Sequence, residues 1–508
     1  MVGQRPRAGF LSVSFPRRPH RSFCVGRWLL TALCVAGGGA LYAVDETDYY
    51  RLVSFEMPPD AVLEVGGMTR APDGALVFCT RRGDVIRVDS PDGPPAAMKY
   101  HRFATGLHSP LGILAHQDAY YVVQLGELTR LRDTDGDGTA DEYTTICDDW
   151  GFSGNFHEFA YGPRMDGDGK LWVALNIPFG EEPYGRAPWR GWALRIDPQT
   201  GVMEPMAAGM RSPSGIDISP AGDVFFTDNQ GDWCNASKLS HISRGDFHGH
   251  PYSLHSAADP RSPLKNVRAA PDRLFTRDVP TKVPSFKLPS VWFPFQKAGR
   301  GPSGMVWDTT GGTFGPFSGQ VFVGEFRQSR VFRVQLEKIK GHWQGALFPF
   351  RSGFNSGVFR LLFSDAGHLL AGMTRRGWGS IGAKQFGIQR VEWTGVTPLE
   401  IQNMQVRKDG FVLEFTLPVN PETCTPGAFQ LESYTYRLSK TYGGPEEEKR
   451  EHTIVAVELG AAGRKVFLRV PDLREGFVHE LHAGPVRALD STPLLHDVAY
   501  YTLMNLPD

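Results

Sequence analysis

Residues 209–233 read GMRSPSGIDISPAGDVFFTDNQGDW, and this stretch carries the pattern that decides the fold. After a glycine entry it holds a short apolar strand, an Ala-Gly turn and a second strand at residues 224–227, built from β-branched and aromatic side chains. Strands of this kind between glycine turns indicate β-structure rather than helix. Related units begin near Gly67, Gly106, Gly154, Gly301 and Gly353.

The six units predict an all-β protein with a six-bladed β-propeller over residues 44–395. Units of roughly 40 to 50 residues fit one blade each, because a blade cannot bury both faces alone and a ring of blades covers them. The longest interval, around residues 244–299, is rich in Pro, Arg and His. It is interpreted either as a functional loop over one face or as a plain surface insertion.

The pattern changes after Trp393. Residues 396–508 contain alternating strands separated by the charged turn GGPEEEKREH, which predicts a small, Ig-like β-sandwich. Its length is that of an independent domain. No catalytic pattern is found in it, so we expect an accessory or docking module.

Composition narrows the function classes. The chain has 508 residues, with 41% hydrophobic and 21% charged side chains, which is enough to bury a large core and excludes a disordered chain. Its 58 Gly and 38 Pro indicate many turns. A net charge of -1 provides no broad basic field, which argues against a nucleic-acid binder.

Residues 1–43 are predicted to be a signal peptide. Six arginines precede Asp45 without any acidic residue, and residues 28–43 form an apolar run rich in small side chains. This pattern is typical of a secretory signal, so a periplasmic or secreted protein is expected. An uncleaved N-terminal anchor is the alternative, although the run is short for a bilayer span.

The expected mature chain keeps only a few cysteines. Four cysteines are compatible with one disulfide in an oxidising compartment, and Cys147 with Cys234 is the suggested pair. They are equally compatible with four buried thiols. The residues concerned are Cys79, Cys147, Cys234 and Cys424.

An acidic loop, DTDGDGTADEY at residues 133–143, predicts a structural calcium site. Carboxylates at the first, third, fifth and ninth positions, with glycine at the sixth, allow a short loop to surround a hard cation with oxygen ligands. The twelfth position is Thr144 rather than Glu, so Glu142 is expected to supply the missing oxygen. The candidate ligands are Asp133, Asp135, Asp137, Asp141 and Glu142.

Polar residues at strand entries and strand ends form the second candidate site, because such positions converge around the axis of a propeller. His157 opens the third unit and has a side chain that can accept a proton near neutral pH. Arginines at the same mouth predict a ligand with carboxylates, although they could equally satisfy carbonyls at strand ends. These arginines are Arg81 and Arg375, each in a Thr-Arg-Arg-Gly sequence, together with Arg211, Arg327 and Arg360.

At these residues the chain resembles the glucose/sorbosone dehydrogenase-like six-bladed propellers, and more closely the exported "membrane-bound dehydrogenase"-type propellers of planctomycetes and verrucomicrobia. The resemblance covers about residues 48–393. The stretches that carry it are LTRLRDTDGDGTADEY (128–143), SGNFHEFAYGP (153–163), FFTDNQGDW (225–233) and FHGHPYSL (247–254).

The resemblance implies an oxidoreductase that uses pyrroloquinoline quinone with calcium to oxidise a hydroxyl of a sugar or a sugar-derived alcohol or aldehyde. His157 matches the general base, and Arg211 matches the arginine that opens the next blade. Arg327 stands where the family has a cofactor-binding lysine, and Arg360 matches the paired arginine of the last blade. A small carbohydrate is thus the expected substrate.

The sequence contains no Cys-x-x-Cys-His haem motif, so a separate electron acceptor is expected. Two other functions stay open. One is a non-catalytic propeller that binds a carbohydrate or a partner. The other is a metal-dependent lactonase, whose candidate ligands are Glu158, Asp228 and Asn229.

Overall fold

The structure is a computed structural model that describes residues 45–58, 61–180 and 186–508. The predicted signal peptide, residues 1–43, lies outside these ranges. Within them, no helix has the length and apolar character needed to cross a bilayer. The helical elements are α1 at Glu46–Tyr49 and the 3₁₀ turns Pro95–Ala97, Pro251–Ala258, Thr276–Thr281, Pro421–Thr423 and Pro426–Ala428.

Six four-stranded antiparallel blades follow one another along the chain. Blade 1 comprises Val65–Arg70, Leu76–Thr80, Val85–Asp89 and Lys99–Ala104, and blade 2 comprises Gly112–His116, Ala119–Val123, Leu128–Arg132 and Glu142–Cys147. Blade 3 comprises Ala160–Met165, Leu171–Leu175, Trp192–Ile196 and Met203–Ala208, and blade 4 comprises Gly215–Ile218, Val224–Asp228, Ser237–Ile242 and Val291–Phe293. Blade 5 comprises Pro302–Trp307, Val321–Glu325, Arg330–Ile339 and His342–Arg351, and blade 6 comprises Val358–Phe363, Leu369–Thr374, Phe386–Trp393 and Tyr50–Ser54.

The blades close into a ring. The first strand of each blade contacts the first strand of the next, and the first strand of blade 6 contacts that of blade 1. The predicted all-β, six-bladed propeller is therefore confirmed. The outer strand of blade 6 comes from the start of the described chain, with Tyr50 opposite Trp393 and Ser54 opposite Gln389.

Glycines on the first strands allow the blades to approach one another at the axis. A Cβ built on Gly112 of blade 2 would lie 1.2 Å from the carbonyl oxygen of Gly162 in blade 3. On Gly215 of blade 4 it would lie 2.1 Å from the carbonyl oxygen of Ser303 in blade 5. Glycine at these first-strand positions thus has a steric cause, because a side chain there would push neighbouring blades apart.

Two further sheets follow the propeller in sequence. One is formed by Ile401–Arg407, Gly410–Phe415, Lys465–Arg469 and Ala456–Leu459, and the other by Val498–Leu503, Phe477–His482, Gln430–Thr435 and Glu447–His452. Side chains of both sheets, including Phe415, Leu431 and Tyr501, share one hydrophobic cluster. The Ig-like character and the boundary at residue 395 stay predictions.

The last strand of the second sheet continues blade 5. Gly345 pairs with Thr502 and Leu347 pairs with Tyr500, so blade 5 and the C-terminal strands form one eight-stranded sheet. A two-stranded ladder adds a second connection, between Leu274–Phe275 of the long insertion and Arg437–Leu438. The C-terminal region is therefore hydrogen-bonded to the propeller.

The suggested disulfide between Cys147 and Cys234 is wrong, because both thiols are free and buried. Cys147 ends the outer strand of blade 2, and Cys234 follows the second strand of blade 4. The Cys147 thiol belongs to a core shared by blades 2 and 3, and the Cys234 thiol donates to the carbonyl of Ala236 at 3.3 Å. The other two cysteines, Cys79 and Cys424, are also free.

Candidate functional site

A cavity of about 320 Å³ opens at one mouth of the propeller axis. Tyr161 and Ser214 border both this cavity and the narrow axial space between the first strands. The walls of this cavity come from the starts of two first strands, from loops between strands and from one residue of the C-terminal region, Tyr442. The lining residues are Arg81, Phe156, His157, Phe159, Tyr161, Phe179, Arg211, Ser212, Ser214, Asn229, Gln230, Arg300, Gly301, Phe326, Phe359, Arg376, Gly377, Trp378 and Tyr442.

His157 is poised as a proton acceptor. Its Nδ1 lies 2.8 Å from the carbonyl oxygen of Ile177, which requires Nδ1–H as donor and leaves Nε2 as the acceptor nitrogen. The rings of Phe159 and Phe179 lie 5.9 Å and 5.8 Å from the imidazole. Burial and the charge of Arg211 lower the pKa of His157 to about 4. The imidazole is therefore neutral at neutral pH.

Two residues that the sequence analysis did not single out hold the turn of His157. The amide oxygen of Asn155 accepts hydrogen bonds from the backbone N–H groups of His157 and Phe179, at 3.0 Å and 3.1 Å. The fully buried guanidinium of Arg190 donates to the carbonyls of residues on both sides of the turn, Gly151 and Glu158 among them. Asn155 lies in the quoted 153–163 stretch, whereas nothing in the sequence marks Arg190.

Arg211 is fixed by a carboxylate, which is in turn bound by a histidine. Its Nε donates to Asp232 Oδ1 at 3.1 Å, and Asp232 Oδ2 accepts from Nε2 of His250 at 2.9 Å. Burial would raise the pKa of Asp232, but the hydrogen bond from His250 and the charge of Arg211 hold that pKa well below its usual range. The buried Arg211 side chain is therefore held in the cavity wall by a charged carboxylate. His250 belongs to the long insertion, which thus supports the site.

The other predicted arginines divide into two groups. Arg81 lines the cavity above the ring of Phe159, and its Nε is buried with no hydrogen-bond partner. Arg360 lies beneath, in the axial space, and donates to the carbonyls of Ser214 and Leu111. Arg327 lies outside the lining and donates to the carbonyl of Gly379. Arg375 is also outside the lining.

The lining contains two arginines that the sequence analysis did not name. Arg376, in the turn that follows the strand Leu369–Thr374, lines the cavity, whereas its neighbour Arg375 does not. Arg300 closes the long insertion, where no periodicity marked it, and its Nε is buried without a hydrogen-bond partner. The Oδ1 atom of Asn229 is unpaired in the same way. Several unpaired polar atoms therefore border one cavity.

The carboxylates suggested for a lactonase face the protein backbone. Glu158 accepts hydrogen bonds from the N–H and the hydroxyl of Ser153, and Asp228 accepts from the N–H groups of Arg211 and Ser212. Some clusters of acidic, His or Cys side chains could hold a metal ion. Among the described residues, no such cluster lies at the cavity.

The acidic loop of blade 2 brings together part of the predicted ligand set. Oxygens of Asp133, Asp135 and Asp141 lie within 4.8 Å of one another. Asp137 lies outside this group and accepts from the N–H of Thr139 at 2.7 Å, while Glu142 is paired with Arg130 at 2.8 Å. Calcium binding by this loop stays a prediction.

Calcium is expected to stabilise the protein through this loop. At a free calcium concentration 100 times the Kd, mass action adds about 2.7 kcal/mol to the free energy of unfolding. The measurement is the Tm with and without CaCl₂. Asp133→Asn should abolish the shift, whereas Asp168→Asn in another exposed acidic turn should keep it. Equal shifts in both variants would contradict the assignment.

The chain matches one family model and is similar to several solved structures. Residues 32–274 match a family described as a domain of unknown function, DUF7133. No curated protein matches the sequence. Among solved structures, the chain is similar to a putative oxidoreductase (glucose dehydrogenase) of Thermus thermophilus, with 17% identity, a TM-score of 0.49, and coverage of 67% of this chain and 99% of that one.

Two further solved structures are of the same kind. The pyrroloquinoline quinone-bound aldose sugar dehydrogenase of Streptomyces coelicolor is 15% identical, with a TM-score of 0.47 and coverage of 68% of this chain and 98% of that one. The soluble aldose sugar dehydrogenase of Escherichia coli in the apo form is 12% identical, with a TM-score of 0.45 and coverage of 68% and 99%. These solved structures are glucose and aldose sugar dehydrogenases, the kind of protein that the sequence resemblance named. The closer grouping with exported planctomycete propellers stays a prediction.

Proposed function

We propose that this chain is an exported dehydrogenase of the pyrroloquinoline quinone type that oxidises a sugar or a sugar-derived alcohol or aldehyde. One observation carries the proposal: a neutral histidine and several guanidiniums, two of them with unpaired buried Nε atoms, border a single cavity. Sites for small molecules combine concave apolar walls with a few convergent polar groups of this kind. The secretory pattern of residues 1–43 supports the exported location.

The chemistry of the cavity fits the cofactor. Pyrroloquinoline quinone is a planar anion with three carboxylates, and guanidiniums pair with carboxylates through bidentate hydrogen bonds. Arg81 and Arg300 have unpaired Nε donors, and the rings of Phe159 and Phe326 offer flat apolar walls. The volume of about 320 Å³ is at the lower end of the range for small-molecule sites. We therefore assign the carboxylates to Arg81, Arg300 and Arg376.

His157 and Arg211 act on the substrate. The neutral imidazole accepts the proton of the sugar hydroxyl at Nε2, since Nδ1 is committed to the carbonyl of Ile177. The charge of Arg211 stabilises the oxygen that loses this proton, and Asp232 holds that guanidinium in place. Pyrroloquinoline quinone, when bound, would supply the two-electron acceptor for a hydride from the carbon that carries this hydroxyl.

The aromatic walls prepare this proton transfer. Rings of Phe156, Phe159 and Phe179 surround the imidazole and limit the water that reaches it. A dry environment strengthens the attraction between Arg211 and the substrate oxygen. A separate electron acceptor would be needed, since this sequence contains no c-type haem motif.

Titration with pyrroloquinoline quinone tests the proposal. The purified full-length protein should bind the quinone, gain its absorption and reduce an artificial dye when aldoses are added. Arg81→Ala should weaken quinone binding about 10- to 100-fold, since a charge-assisted hydrogen bond contributes roughly 1.5–3 kcal/mol. Arg375→Ala, a neighbouring arginine outside the lining, is the matched control and should bind normally.

Failure of this titration would overturn the proposal. If saturating quinone gives no bound cofactor, the dehydrogenase is excluded. Sugar binding without turnover, retained in His157→Ala, would instead support a carbohydrate-binding propeller.

A further inference from the structure

A loop of the C-terminal region reaches the cavity and is fixed to blade 4. The N–H of Gly443 donates to the carbonyl of Gly231 at 3.0 Å. The side chain of Asn235 accepts from the N–H of Ser439 at 2.9 Å and donates to the carbonyl of Gly443 at 3.1 Å. The N–H of Trp233 donates to the carbonyl of Ser439. These bonds hold both ends of the loop around residue 442 in place.

Tyr442, at the tip of this loop, forms part of the cavity wall. Its ring lies 6.4 Å from the ring of Phe179, edge-on, and the guanidinium of Arg211 lies 5.1 Å from its centre. The residue is nevertheless 58% exposed. A tyrosine held in an ordered loop beside a cavity, with most of its surface in water, has apolar area available for a ligand.

Exposed aromatic rings gather at this mouth. Phe156 is 67% exposed, Phe179 44% and Trp378 43%, and all three line the cavity together with Tyr442. Phe179 contacts both His157 and Tyr442, so a row of rings leads from the proposed base to the outside. Contiguous exposed apolar surface of this kind marks a binding site.

We infer that Tyr442 and Phe179 form a second sugar-binding subsite, next to the unit that His157 deprotonates, so that the preferred substrate is the end of an oligosaccharide. This inference rests on the proposed function of the cavity. A pyranose has a face of C–H groups that packs on the negative face of an aromatic ring, while its hydroxyls need donors at the edges. Arg211 supplies such donors beside both rings. Aromatic and arginine side chains commonly contribute most of the binding free energy at a binding surface.

Calorimetry on the quinone-free full-length protein tests the subsite. The probes are malto-, cello-, xylo- and mannotetraose and their monosaccharides. At least one tetrasaccharide should bind about tenfold more tightly than its monosaccharide, which corresponds to about 1.4 kcal/mol. Tyr442→Ala and Tyr442→Leu should remove this difference, because neither keeps a ring, and Tyr442→Phe should retain it. Tyr143→Ala, another exposed tyrosine outside the cavity, is the matched control and should retain it too.

Several outcomes would overturn the inference. The first is equal affinity for every tetrasaccharide and its monosaccharide. The second is a ratio of tetrasaccharide to monosaccharide affinity that Tyr442→Ala leaves unchanged.

Other outcomes separate the subsite from the rest of the proposal. If Tyr442→Ala leaves sugar binding unchanged and slows only the reduction of cytochrome c, the rim is a docking surface for a protein acceptor. If the quinone does not bind but the Tyr442-dependent ratio persists, the dehydrogenase is excluded while the subsite stands. If the quinone binds but tetrasaccharides and monosaccharides bind with equal affinity, the subsite alone is excluded.

Discussion

Replacing His157 with glutamine is expected to lower kcat about 10²- to 10⁴-fold in the quinone-loaded protein, the usual contribution of a positioned general base. Glutamine keeps a hydrogen-bonding side chain of similar size but cannot take up a proton at neutral pH. The side chain of His157 is set for this step by the contact of its Nδ1 with the carbonyl of Ile177. The measurement is dye reduction with a saturating aldose.

The pH dependence provides a second test of the same residue. Burial and the charge of Arg211 lower the pKa of His157 to about 4. The imidazole can accept a proton only when it is neutral, so kcat should stay level through neutral pH and fall as the pH drops through about 4. This acidic limb should be missing in His157→Gln.

The control for His157 is His101→Gln, an exposed histidine paired with Asp89 and outside the cavity. It should leave kcat unchanged. Quinone affinity should also stay close to that of the unsubstituted protein in His157→Gln, since the carboxylates are assigned to other residues. If kcat of His157→Gln stays within about twofold of the original value, His157 is not the general base, because the loss of such a base usually lowers kcat far more.

The largest effect on stability is expected from His496→Ala. The imidazole, with 14% of its side chain exposed, lies between Glu400 at 2.6 Å and Glu46 at 3.0 Å. Glu46 is also paired with Arg351, and Glu400 lies 3.6 Å from Arg333. The network thus links the N-terminal helix, blade 5 and the C-terminal region. Because these arginines remain, we expect a loss of roughly 2–4 kcal/mol, somewhat less than for a fully broken buried pair.

The sign of the pH effect follows from the shifted pKa values. Burial lowers the pKa of His496, but the two carboxylates outweigh burial and raise it from 6.5 to about 9. The stabilisation from His496 is therefore fully present below pH 6.5 and is lost as the pH rises through about 9. The pKa of Glu46 is lowered from 4.5 to about 2, so its contribution is present above pH 4.5 and is lost as the pH falls through about 2.

Urea unfolding at about pH 6 and about pH 10, on either side of the shifted pKa of His496, measures this effect. The unsubstituted protein should lose stability between the two values, and His496→Ala should lose much less. His482→Ala removes a half-exposed histidine paired with Glu480 and serves as the control, for which a change of about 0–1 kcal/mol is expected. A loss below about 1 kcal/mol in His496→Ala, equal at both pH values, would contradict the role of the network.

Local pattern was sufficient for the blades and for part of the site. The run of β-branched and aromatic residues at 224–227 indicated a strand that the structure has at Val224–Asp228. One predicted glycine entry, Gly67, lies on the first strand of blade 1, where a Cβ would meet Gly112 of blade 2. His157 and Arg211 were found because entry loops of successive blades converge by the geometry of the ring. These features depend on a few neighbouring residues, so one sequence carries them.

Other features depend on contacts between distant parts of the chain. Arg375 was chosen over Arg376 because a sequence pattern does not fix the side toward which a residue points once its strand has ended. Tyr442 had no motif of its own and reaches the cavity only through bonds to Asn235 and Gly231. The repeat alone thus determined the ring and its converging loops, since periodic burial forces blades to stack. Tertiary packing alone decided which side chains line the cavity. Each of these positions depends on contacts between residues far apart in the sequence, which local sequence patterns do not show.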